Sequence, residues 1–208
     1  MYKHFIWDFD GTLFNTYPMI IEIHRQILLE YGINEDMNMI LKVIKEKSSK
    51  EVLEYYNKKY NITHEMFRKK YFDKDHEAEY EKLSEPQEGV IDVCKYIKEK
   101  GYKNYIVSNR DRSILRLLEN HEILQYFDDI IYAEEFKKKP SEEMFVYIIE
   151  KHNMNKEEVL SIGDRNLDFV PSTKVGIDTC LYKPFSEKLD CSPRYVIDSM
   201  KELYDIIT

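Results

Sequence analysis

The chain has 208 residues, 43% of them hydrophobic and 34% charged, and a formal net charge of −8. That length allows one sizeable core, or a core carrying a smaller insert, and the composition suits a folded globular protein rather than a disordered one. The acidic balance argues against general nucleic-acid binding, and no apolar run approaches the ~20 residues that span a bilayer.

The N-terminal "MYKH" leads directly into a strand-like run, without the apolar region and small-residue cleavage site of a signal peptide. Cys94, Cys180 and Cys191 are odd in number and lack ligand spacing, so reduced structural thiols in a cytoplasmic protein are expected. The first strand, over residues 2–8, opens into "FIWDFDGTLFNT", where three bulky hydrophobes are followed by Asp8 and Asp10. Two readings of this stretch stand. Asp and Gly are ordinary turn residues. Alternatively, a divalent cation cancels the repulsion between the carboxylates and puts them to use.

From about Asn15 to Leu83 the texture is helical. Ile20, Ile23, Ile27, Leu28 and Tyr31 form one apolar stripe, which Gly32 ends. "MILKVIKEK", "SKEVLEYYNKKY" and "THEMFRKKYFDKDHEAEY" continue the pattern, with no clear strand, repeat or low-complexity tract. "SEPQEGV" (84–90) reads as the return linker, broken at Pro86. Expected domains are therefore 1–14 with 84–208 as an α/β core, and 15–83 as an all-helical insert.

Beyond the linker, short apolar runs alternate with helix-period segments. The runs lie at 102–109, 128–133, 158–164, 176–182 and 194–198; the helical segments centre on Val90–Ile97, Ile114–Leu118 and Phe145–Ile149. Such alternation predicts a parallel sheet with helical crossovers, and ligands gather beyond the carboxyl ends of its strands.

Three more clusters fall at such ends. Ser108 and Asn109 close "IVSNR", where a hydroxyl and backbone amides suit a phosphate or carboxylate oxygen, or equally cap the helix that follows. In "KKKPSEEMF", Pro140 suits a first helical turn; Lys139 just before it aims an ammonium above the sheet, while Lys137 and Lys138 read as solvated charges. "SIGDRNLD" runs a strand into Gly163, which permits close approach to a ligand, then Asp164 and, on the next first turn, Asp168. Together the four strand ends offer three or four carboxylates, a lysine and a hydroxyl, a set suited to a hard cation and a phosphoryl group.

These residues resemble the haloacid dehalogenase superfamily, whose ordered motifs are matched by "FIWDFDGTL", "YIVSN", "KP" and "SIGDRNLD" across the whole chain. The insert is similar to the α-helical cap of the branch containing phosphoglycolate phosphatases and beta-phosphoglucomutases. The resemblance implies a Rossmann-like sheet, and a Mg2+-dependent phosphatase acting on a small phosphorylated metabolite through an aspartyl-phosphate. It implies Asp8 as nucleophile and Asp10 as acid and then base. Mg2+ would be held by Asp8, the Asp10 carbonyl and Asp164, with Asp168 supporting it. Ser108 and Asn109 would bind the phosphoryl group, and Lys139 would balance its charge.

Asp10 argues against a dehalogenase, which lacks that second aspartate. A sugar-phosphate mutase is the nearer alternative, but its cap histidine is replaced here by Ile20, with His24 one turn on, and its cap-loop arginine by Lys50. A non-catalytic module retaining the fold is the third reading. Ser49 and Lys50, in "KSSKE", are the expected substrate-selecting residues of the insert. Arg110 and Arg165 are read either as contacts to a second anionic group or as solvated surface.

Overall fold

The computed structural model describes residues 1–183 and 192–207, and its chain divides into two compact units: Met1–Asn15 with Pro86–Thr208, and Thr16–Glu85. The strands are β1 (His4–Trp7), β2 (Phe14–Asn15), β3 (Glu85–Pro86), β4 (Lys103–Ser108), β5 (Asp129–Tyr132), β6 (Val159–Gly163), β7 (Asp178–Tyr182) and β8 (Tyr195–Ile197). Six of them form one parallel sheet in the order β5-β4-β1-β6-β7-β8, while β2 and β3 make a two-stranded ribbon where the chain leaves and re-enters the first unit. β1 is central, with His4 in register with Lys103 on one side and Val159 on the other. The ends of β1, β4 and β6 therefore emerge side by side.

Strands buried on both faces read as continuous apolar runs, and alternate side chains supply the two faces. Phe5, Trp7, Ile106, Leu160 and Ile162 enter one apolar layer; Ile6, Tyr105, Val107 and Val159 enter the other. A buried polar tie locks neighbouring strands. Trp7 Nε1 donates to Asn104 Oδ1 at 2.9 Å, and Asn104 Nδ2 donates to the Cys94 carbonyl at 3.0 Å.

The second unit contains α1 (Tyr17–Glu30), α2 (Met37–Glu46), α3 (Ser49–Tyr60), α4 (His64–Asp75) and α5 (Ala78–Glu81). Gly32, at φ +70°, turns the chain after α1. Ser48 and Thr63 cap α3 and α4 by accepting from the Glu51 and Met66 N–H groups. The amphipathic helices close on a core of Ile23, Ile27, Leu53, Tyr56 and Phe67.

The first unit adds α6 (Val90–Glu99), α7 (Ser113–Asn120), α8 (Glu143–Lys151), α9 (Asn166–Lys174) and α10 (Leu203–Ile207). Two expected helix starts move. α8 begins at Glu143, because Pro140 occupies a turn instead of the first helical turn. α7 begins at Ser113, with Arg112 at the N-cap position, and the Ser113 N–H donates to Asp111 Oδ1 at 2.9 Å, so the helix starts beyond Ser108 and Asn109 and neither caps it. Cys94 and Cys180 are buried free thiols, and burial pushes Cys180 up to about 12; Cys191 lies outside the described residues. No helix among the described residues is long and apolar enough to cross a membrane.

Candidate active site

Asp8 directly follows β1, and its N–H donates to the Ile162 carbonyl of β6 at 2.8 Å, so its position is set by the sheet itself. Three residues on, Gly11 adopts φ +89°, and its N–H donates to the Phe14 carbonyl at 2.7 Å. This tight loop brings Asp10 back beside the sheet end, and only glycine adopts that conformation without strain. The turn reading of "DFDG" is met at Gly11, and the turn leaves Asp8 and Asp10 on either side of Phe9 at the end of β1.

Lys139 Nζ lies buried among three acceptors. It donates to Asp8 Oδ1 at 2.5 Å, to Asp168 Oδ1 at 2.6 Å and to the Val107 carbonyl at 3.0 Å. Its backbone is clamped by Asn109, whose Nδ2 donates to the Lys139 carbonyl at 3.1 Å while Oδ1 accepts the Lys139 N–H at 2.6 Å. The Asn109 side chain is thus engaged in holding the lysine. Lys137 and Lys138 are exposed.

Asp168 lies in the first turn of α9, and its Oδ2 accepts the Arg165 N–H at 3.1 Å. The close approach at Gly163 is to this side chain: a Cβ there would stand 2.4 Å from Asp168 Cβ. Gly163 makes room for Asp168. With one oxygen on Lys139 and the other on a backbone amide, Asp168 holds its neighbours in place.

Asp8, Asp164 and Asp168 are all buried, with carboxylate oxygens within 4.8 Å of one another. Burial, and then the Asp168 carboxylate, push Asp8 well above the usual carboxylate range, against the pull of Lys139. Burial opposes the charge on Lys139 as well, but Asp168 and Asp8 outweigh it and raise the lysine. Asp8 Oδ2 is buried with no hydrogen-bond partner. An orphaned carboxylate oxygen among hard oxygen donors is what a magnesium ion accepts, so the residues present fit that metal.

Arg110 and Arg165 are not solvated. Arg110 Nη1 donates to Asp10 Oδ1 at 3.1 Å, and Arg165 Nε lies 3.5 Å from Asp164 Oδ1. Ser108 is buried at the end of β4, where its Oγ accepts the Arg110 N–H at 3.1 Å. In the insert, Ser49 and Lys50 occupy the first turn of α3, and Lys50 Nζ is 3.6 Å from Glu54 Oε1. His24 is buried within the insert, with Nδ1 3.0 Å from the Tyr56 hydroxyl and the ring packed on Phe67.

The family model for haloacid dehalogenase-like hydrolases matches residues 5–182, from the first strand of the sheet to the end of β7. The chain belongs to this family. It is 25% identical to a pyrophosphatase PpaX of Halalkalibacterium halodurans, over 97% of this chain and 95% of that one. It is 27% identical to a glyceraldehyde 3-phosphate phosphatase of Methanocaldococcus jannaschii, over 100% of this chain and 97% of that one. A solved subfamily IA hydrolase of this superfamily from Geobacter sulfurreducens has the same fold, with TM-score 0.76, 18% identity, and coverage of 100% of this chain and 97% of that one.

The chain is accordingly an enzyme of the phosphatase type. Within this family member, the pairing of Arg110 with Asp10 was not legible beforehand. The place of Arg110 after "SN" at a strand end was visible, but the pairing with Asp10 joins positions a hundred residues apart.

Proposed function

We propose that this haloacid dehalogenase-like hydrolase is a magnesium-dependent phosphatase of small phosphorylated metabolites that works through an aspartyl-phosphate on Asp8. The observation that supports this most is the Asp8 carboxylate. It is buried at the end of the central strand, with one oxygen on Lys139 and the other without a partner.

Asp8 attacks phosphorus, the bond from phosphorus to the leaving oxygen breaks, and Asp10 delivers a proton to that oxygen. Asp10 then takes a proton from water; the water oxygen attacks phosphorus, the bond to Asp8 breaks, and inorganic phosphate leaves. The Ser108 hydroxyl and the Asn109 backbone N–H receive the transferred phosphoryl group, and Lys139 offsets its charge and orients Asp8. Asp8, Asp164 and the Asp10 carbonyl would hold the magnesium, and Asp168 keeps Lys139 and the turn at Arg165 in place. When bound, the metal supplies positive charge to the phosphoryl oxygens and relieves repulsion among the carboxylates. His24 counts against the mutase alternative, because the histidine nearest the mutase position is enclosed in an aromatic core.

Acid quenching during turnover should trap a phosphoryl group on the wild-type enzyme and none on Asp8→Asn, whose kcat should fall on the order of 10³-fold or more. EDTA should abolish turnover, and added Mg2+ should restore it. A covalent phosphoryl group retained in Asp8→Asn would refute the assignment of the nucleophile, and full turnover in chelator would refute the metal.

A further inference from the structure

We infer that Arg110 is a positioning residue that holds Asp10 where a leaving oxygen can receive its proton. The inference rests on the acid–base reading of Asp10 given above. Asp10 lies on a loop beyond β1, and its side chain is 20% exposed, so packing alone does not fix its direction. The Arg110 side chain is only 8% exposed and is tied at both edges of its guanidinium. Nη1 donates to Asp10 Oδ1 at 3.1 Å, and Nε donates to Ser113 Oγ at 3.0 Å. Ser113 is itself fixed at the start of α7 by Asp111.

The backbone of the same residue donates to Ser108 Oγ at 3.1 Å. Arg110 thus places Asp10 and Ser108 in one rigid frame. That matters because proton transfer needs donor and leaving oxygen within hydrogen-bond reach, and small displacements of a catalytic group lower rates steeply. The planar fork suits two fixed acceptors at once, whereas a lysine offers a single point of charge. Lys139 has a different task. It serves Asp8 and Asp168, and its Nζ contacts do not include Asp10.

The test is a panel of alkyl and aryl phosphates of graded leaving-group acidity, assayed with the full chain and Mg2+. Arg110→Gln should lower kcat/KM on the order of 10- to 10²-fold for alkyl phosphates, whose alkoxide needs a proton, and by less than about threefold for p-nitrophenyl phosphate. The dependence of kcat/KM on leaving-group acidity should therefore steepen, with Arg110→Lys intermediate. In an Asp10→Asn background, Arg110→Gln should add nothing further, because the group it positions is already disabled.

Circular dichroism checks that each variant is folded. Should Arg110→Gln fail to fold, Ser113→Ala removes only the Nε anchor and should steepen the dependence in the same direction. A uniform loss across the panel, no loss, or full additivity with Asp10→Asn overturns the inference. Where Asp10→Asn steepens the dependence and Arg110→Gln does not, only the positioning role is refuted. Where Asp10→Asn itself leaves the dependence unchanged, the acid assignment fails and this inference falls with it.

Discussion

In the first unit, Asp8, Lys139 and Asp168 are held together out of water just beyond the ends of parallel strands; in the insert, the buried His24 stands among Tyr56, Phe67 and Tyr71. Burial acts on the two places differently. Around Lys139 each charge has an opposite partner within 2.6 Å, so the lysine stays charged. Around His24 the aromatic rings offer no such partner, and burial drives its pKa down to about 3. Replacing buried ion pairs by apolar residues is often neutral or stabilising, so stability alone does not account for the charged cluster. Its concentration at converging strand ends fits chemistry, as perturbed groups in an active site do. The insert's interior reads as packing.

The glycines of the two units give the sharpest way to break this comparison. A Cβ at Gly163 would stand 2.4 Å from Asp168 Cβ, and Asp168 in turn holds Lys139. Gly163→Ala should lose about 1–3 kcal/mol of stability through overpacking, and kcat should fall on the order of 10- to 10²-fold as Lys139 loses its orientation. At Gly32 a Cβ would meet nothing within 4 Å, although φ is +70°. Gly32→Ala should therefore lose about 1 kcal/mol through backbone strain and leave kcat for p-nitrophenyl phosphate unchanged. Chemical denaturation and steady-state kinetics on the two variants check both outcomes. Equal kinetic losses would mean that the units do not differ in this way.

The six strands of the sheet were legible because strands buried on both faces leave long apolar runs, and α1, α6, α7 and α8 because their stripes recur at helical period; α9 and α10 were not marked out in this way. The order of the clusters along the chain also showed, since each sits where an apolar run stops. Contacts between distant positions did not show. Nothing local to Arg110 names Asp10 as its partner, nothing in "SIG" says that Gly163 is emptied for Asp168, and nothing in "KKKP" says that Lys139 turns back to the Val107 carbonyl. Helix starts misled for a related reason. Pro140 and Ser108 have the chemistry of helix beginnings, but the chain needs further residues at each strand end to form the site, and the helices start later.

A smaller effect should separate the units by pH. His24 has an ordinary value of 6.5 in the unfolded chain and about 3 when buried, so the unfolded state binds the extra proton between those values. The stability His24 confers is complete above 6.5 and is lost as pH falls toward 3. The slope approaches about 1.4 kcal/mol per pH unit. Denaturant titrations from neutral pH to pH near 4 should show this slope in the wild type and a shallower one in His24→Gln. An identical pH dependence in the two proteins would mean that His24 is already accessible to protons in the folded state.

The smallest effect belongs to Lys50. Its side chain is 74% exposed and lies 3.6 Å from Glu54 Oε1, one helical turn along α3. An exposed pair of this spacing contributes about 0.3–0.5 kcal/mol, so Lys50→Ala should barely change the melting temperature. It should also leave kcat/KM for p-nitrophenyl phosphate within about twofold, since a surface charge with a local partner does not support the chemistry at Asp8. Substrate selection by Ser49 and Lys50 makes a separate demand: the loss must be confined to esters carrying a further anionic or hydroxyl group, with p-nitrophenyl phosphate spared. Parallel kcat/KM measurements on both ester types decide it. A loss on the larger esters alone would give the start of α3 a part in choosing substrate, whereas no loss on either would leave Lys50 as a solvated partner of Glu54.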